Sequence, residues 1–160
     1  MGKFAVIDTE TNWADQVMSI GTVIADADTF ELIAAKYHIL PIECEIGGMY
    51  ESTLFIETPV QPILCTRAEA IADLRTWFQQ HDVHSIFAYN ACFDRNHLPE
   101  LRDFNWYDIM RLAAYRQQGA PVVIVFMDVV QRHVRAAGRL DRRQHTPAKR
   151  AARKSPACRT

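Results

Sequence analysis

The sequence has no apolar run of 18 residues, so no membrane-spanning helix is expected. Its N-terminus has no charged region leading into an apolar stretch and a small-residue cleavage site, so no signal peptide is expected either. A myristoylation signal is lacking as well, because Val6 stands where Ser or Thr is needed. Cysteines are few and scattered. Cys44, Cys65, Cys92 and Cys158 form no C-x-x-C pair and no metal-finger spacing, and they read as reduced thiols of a cytoplasmic protein. No base is placed beside Cys92, which argues against a nucleophilic role. Cations are scarce too, except at one end. Residues 1–130 hold 8 Lys and Arg against 18 Asp and Glu, a balance of −10. Residues 131–160 hold 10 against the single acid Asp141, a balance of +9, so the net charge of −1 hides two opposite halves.

With 49% apolar residues in 160, the chain has the material for one compact domain. A domain of this length buries roughly 70% of its unfolded surface. The run Phe4-Ala5-Val6-Ile7 favours a strand buried on both faces, and it leads directly into Asp8-Thr9-Glu10-Thr11. Side chains alternate along a strand, so Asp8 and Glu10 leave it on one side. Two carboxylates so placed suit a hard divalent cation, which takes oxygen ligands. They also suit a solvated strand end, and on these residues alone both readings stand. Val17 to Asp26 and Phe30 to Leu40 follow as strands after short polar links, which predicts an antiparallel meander. His38, within the third strand, reads as a satisfied histidine rather than a ligand.

Segment 41–65, with three prolines and Gly47-Gly48, reads as a long surface excursion bordering a cleft. Thr66-Arg67-Ala68-Glu69 has the form of a capping box, and Ile71, Leu74 and Phe78 share one helical face over 67–80. A strand is expected at His84–Tyr89, a helix after Asn90, a strand at Asn105–Ile109, and a second helix from Met110 to Gln117. Strand, helix and strand in that order imply a parallel pair with a right-handed crossover. The expected class is α/β, a mixed sheet of three antiparallel strands followed by parallel ones, with flanking helices.

Asp8-Thr9-Glu10 on a first strand, followed by Asn90-Ala91-Cys92-Phe93-Asp94 at a strand–helix junction, resembles the DnaQ-like exonucleases of the DEDD superfamily. Thr11 also fits the first motif, and Trp106-Tyr107-Asp108-Ile109 with Leu112-Ala113 looks like the segment that follows the second. The resemblance covers residues 4–117 and implies a ribonuclease H-like fold over 1–118. It implies a 3′-5′ exonuclease acting on single-stranded DNA or RNA with a free 3′ end. It also implies a two-metal site for Mg²⁺ or Mn²⁺, with Asp8, Glu10 and Asp94 as metal-binding and catalytic carboxylates. Two such ions, about 4 Å apart, clamp both oxygens of an in-line displacement. Thr9, Thr11, Asn90 and Phe93 would contact the terminal nucleotide. Read without the family, Asp94 suits a helix N-cap, and Asp108 a strand-end acid or cap. Members of the family are often dimeric, which makes a homodimer an expectation, though no heptad or apolar stripe supports it.

The family's third motif, His followed five residues on by Asp or Tyr followed four on by Asp, has no match. Neither a fourth carboxylate nor a general base is therefore assigned. Residues 119–160 instead hold the apolar run Val122–Val130 and a stretch rich in Arg, Ala and Pro. That stretch reads as a basic nucleic-acid-binding arm, as a disordered tail, or as the product of a reading frame that departs near Gln118. Asp128 and Asp141 are the acids there. The expectation is weak metal binding with slow hydrolysis, or a catalytically inactive nucleic-acid-binding module on the same fold.

Overall fold

A computed structural model describes residues 2–55 and 59–115. The apolar run, the basic stretch, Asp128, Asp141 and the last two residues of the expected helix 110–117 lie outside the described residues. So does any question of a domain at 119–160.

Strand β1 (Lys3–Thr11) is the axis of a six-stranded mixed sheet. It pairs antiparallel with β2 (Val17–Asp26), which pairs antiparallel with β3 (Leu32–Ile39). On its other side β1 pairs parallel with β5 (Val83–Ala88), and β5 pairs parallel with β6 (Asn105–Asp108). The expected meander and parallel pair are both present, and the architecture is mixed α/β.

Segment 41–65, read as a surface excursion with no element assigned in it, holds short regular elements. It forms two single-turn helices, α1 (Pro41–Cys44) and α2 (Glu51–Leu54), and strand β4 (Pro62–Leu64) at the sheet edge, parallel to β3. Proline is compatible with each. At a helix start its missing N–H has no partner to lose, and at an edge strand one side is unpaired anyway. Helix α3 (Arg67–Gln80) opens with the expected capping box: Thr66 accepts from the Glu69 N–H, and the Glu69 side chain accepts from the Thr66 N–H. After β5 come α4 (Ala91–His97), a 3-10 turn and β6, then α5 (Ile109–Tyr115).

Alternation divides β1 between two faces. Ala5 and Ile7 join Ile20, Ile24 and Ile86 under α3, which buries Ile71, Leu74 and Phe78 against them. Phe4 and Val6 face the other way, with Ala25, Phe87 and Ile109. The β1–β2 register shifts near its end: Glu10 pairs with Ser19 but Thr11 with Val17, leaving Met18 as an extra residue. The bulge turns Met18 into a separate cluster with Ile39, Cys44 and Leu54, under the excursion. Met18 thus becomes the floor on which segment 41–55 rests.

Candidate functional site

The carboxyl end of β1 opens into a cleft of about 390 Å³. Crevices at the carboxyl ends of parallel strands are the usual ligand sites of α/β sheets. Asp8, Glu10 and Asp94 all line this cleft. The first two leave β1 on one face, two residues apart. The third comes from the opening turns of α4, which follows the end of the neighbouring parallel strand.

Asp94 is fixed from β1 itself. The Thr9 N–H donates to Asp94 Oδ1 at 3.0 Å, and the Thr9 hydroxyl donates to the same oxygen at 2.8 Å. Thr9, expected among the nucleotide contacts, therefore has both donors committed to holding a carboxylate beside the Asp8–Glu10 pair. Asp94 is only 4% exposed. It is also not the cap of its helix. Asn90 occupies that position, without a side-chain capping bond, and lines the cleft with Thr11 and Phe93. Asp108 is a cap, accepting from the Arg111 N–H at 2.8 Å, and does not line the cleft.

The electrostatics follow from this crowding. Burial pushes Asp8 up from 3.8 to about 6, and the neighbouring Asp94 adds to the shift. Glu10 is pushed up to about 7 by burial first, then by Asp8 and Asp94. Asp8 keeps accessible surface at the cleft mouth, yet the walls exclude enough water to disfavour its charge. Burial also raises Asp94, against the opposing hydrogen bonds from Thr9. No Lys or Arg is among the described residues lining the cleft, and the nearby His97 only partly offsets the rise at Asp94.

Carboxylate oxygens are the donors a hard divalent ion takes, so the donor chemistry fits Mg²⁺ or Mn²⁺. As the side chains stand, no group of three or more His, Cys, Asp or Glu among the described residues is arranged to hold an ion. The fit is one of donor type and charge, not of a finished coordination sphere.

The remaining walls were not legible as site residues. Trp13 comes from the β1–β2 turn, Met49 and Tyr50 from the excursion, and Tyr89 from the end of β5. Trp13 is 70% exposed, Met49 67% and Tyr50 47%, an unusual concentration of large apolar surface beside acids. The hints in the sequence are positional: Trp13 follows Thr11 by two residues in an otherwise polar turn, and Met49 and Tyr50 lie in the segment expected to border a cleft. The excursion reaches the cleft because Gly48 lies against the end of β1. A Cβ there would fall 2.8 Å from the Thr11 carbonyl oxygen and 2.5 Å from Met18 Cε.

His38 is remote from this cluster. It lies on the α3 face of the sheet, fully buried, with Nε2 2.9 Å from Asp73 Oδ2 and Nδ1 without a partner. Cys44, Cys65 and Cys92 are unpaired thiols, and no helix among the described residues is long and apolar enough to cross a membrane. No protein-family model matches the chain, and no curated protein matches it either.

Proposed function

We propose that the chain is a metal-dependent 3′-5′ exonuclease of the DnaQ-like kind, on a ribonuclease H-like fold, acting on single-stranded nucleic acid with a free 3′ end. The observation that carries this reading is the convergence of Asp8, Glu10 and Asp94 on one cleft whose described lining holds no Lys or Arg. Two are displaced upward in pKa to about 6 and 7, a cost that a structural role alone does not explain. The sheet order, with β1 between an antiparallel meander and a parallel pair, is compatible with the fold.

Asp8 and Glu10, with the Asp94 oxygen not bonded to Thr9, are the residues that would hold the ions. When bound, such ions supply a water of lowered pKa and charge neutralisation at the leaving oxygen. The chain itself orients and excludes. Thr9 keeps Asp94 aligned, the walls of the cleft limit water, and the aromatic rim offers faces on which unpaired bases stack, each worth about 1–3 kcal/mol.

A second reading has its own observation. No third motif occurs in the sequence, so neither a fourth carboxylate nor a general base is assigned. That favours a nucleic-acid-binding module of weak or no catalytic activity. A thermal-shift titration with Mn²⁺, followed by a labelled single strand with and without chelator, separates the two. The nuclease reading expects a midpoint that rises with Mn²⁺, together with chelator-sensitive shortening from the 3′ end that Asp8→Ala abolishes. Retention of an intact strand supports the module. No midpoint shift and no retention would sink both.

A further inference from the structure

The turn between β1 and β2 bridges the two walls of the cleft, and its two fastenings differ in kind. Internally it is closed tightly. The Asn12 N–H donates to the Gln16 carbonyl at 2.8 Å, and Asn12 Oδ1 accepts from the Ala14 and Gln16 N–H groups, each at 2.9 Å. Toward the excursion it is held on backbone carbonyls. Asn12 Nδ2 donates to the Glu43 carbonyl and the Trp13 N–H to the Gly47 carbonyl, both at 2.9 Å. Toward α4 the hold comes from side chains, His97 Nε2 standing 3.0 Å from Asp15 Oδ1.

His97 is itself tied to Phe93. Its Nδ1 lies 2.9 Å from the Phe93 carbonyl oxygen, and the two rings are 4.2 Å apart, centroid to centroid. Both partners of the imidazole are acceptors, so the ring is oriented by two acceptors on opposite sides, one of them on the Trp13 turn. Asp15 meanwhile adopts a φ of 61°, a left-handed backbone that a side chain disfavours. The turn's own hydrogen bonds hold that backbone, the Asp15 N–H donating to the Asn12 carbonyl at 3.0 Å, and the conformation presents the Asp15 carboxylate to α4.

We infer that His97 is a positioning residue, clasping the Trp13 turn to helix α4 through Asp15 and so fixing the spacing of Trp13 and Phe93 at the cleft rim. The class of ligand this spacing serves is a planar ring, an unpaired nucleobase. That last step rests on the nuclease reading, whereas the clasp does not.

The experiment therefore has one arm independent of activity. The full chain, labelled with 5-fluorotryptophan, gives one ¹⁹F line for each of its three tryptophans, the Trp13 line being assigned by Trp13→Phe. His97→Gln and Asp15→Gly are each expected to shift or broaden the Trp13 line, and the double variant to do no more than either alone. Asp15→Asn keeps an acceptor and tolerates left-handed backbone, so it is expected to keep the parent line. Asp15→Gly also relieves strain, so its thermal midpoint should hold or rise while the clasp is lost. In the second arm, the KM for a single-stranded oligonucleotide with Mn²⁺ is expected to rise about tenfold in His97→Gln, with kcat nearly unchanged. A Trp13 line that stays put in both single variants overturns the clasp. So does an additive double variant or a disturbance that spreads to the Trp77 and Trp106 lines, whereas a loss confined to kcat overturns the role in holding a nucleobase. If the Trp13 line moves as expected and no form of the chain hydrolyses the strand, the clasp stands and the nuclease reading falls.

Discussion

Asp8 and Glu10 sit at about 6 and 7 instead of 3.8 and 4.5, which gives the metal-free protein a definite dependence on pH. An acid whose folded pKa is raised stabilises the fold fully below its unfolded value. That contribution is lost as pH rises through the folded value. The window here runs from about pH 4 to a little above pH 7. His38, which burial pushes down, works in the opposite sense, so the useful measurement is a difference. Melts in chelator from about pH 4 to about pH 8 should show the gap between Asp8→Asn and the parent widening in favour of the variant, because the neutral amide removes one of three repelling charges. At the upper end of that range Mn²⁺ should raise the parent midpoint and leave the variant little changed. A gap that closes with rising pH would contradict the placement of these acids. The side-by-side exit of Asp8 and Glu10 was legible, because alternation along a strand is fixed by covalent geometry. The role of Thr9 was not. Its donors point to a residue 85 positions away, and no local pattern encodes that distance.

Elements set by local chemistry were read closely. Helix α3 spans Arg67–Gln80 because a capping box starts it and an apolar stripe docks it, both features of adjacent residues. Thr66→Ala should reduce unfolding free energy by about 1 kcal/mol in a denaturant titration. Segment 41–65 was misjudged for the complementary reason. Its prolines mark a break from regular structure in general statistics, yet Pro41 and Pro62 stand at the two kinds of position where the missing N–H does no harm. What organises the segment is nonlocal: the bulged Met18 beneath it, the Thr11 carbonyl against Gly48, and the Tyr37 hydroxyl donating to the Leu54 carbonyl at 3.2 Å. Gly48→Ala tests this directly. The added methyl must displace backbone at the end of β1, so the variant should lose about 1–3 kcal/mol of stability by denaturant titration. The Mn²⁺-induced midpoint shift should shrink with it. Unchanged stability would mean that the excursion gives way without cost and does not depend on β1.

For the whole molecule, the mixed sheet follows from the order of its pieces: short links force the meander, and an intervening helix permits the parallel pair. The rim could not be read in this way, since Trp13, Met49 and Tyr50 come to one cleft only when two distant segments meet. The central place of β1 also has a consequence for the order in which the chain acquires its shape. Synthesis delivers β1, β2 and β3 first, and these can pair as soon as they appear. β5 follows only at Val83, so until then one side of an apolar strand presents unpaired N–H and C=O groups. The nascent protein thus has an adhesive edge at what will become its centre. Asp94 arrives later still, after β5 has closed that edge, so the three carboxylates are brought together only when the hazard has passed.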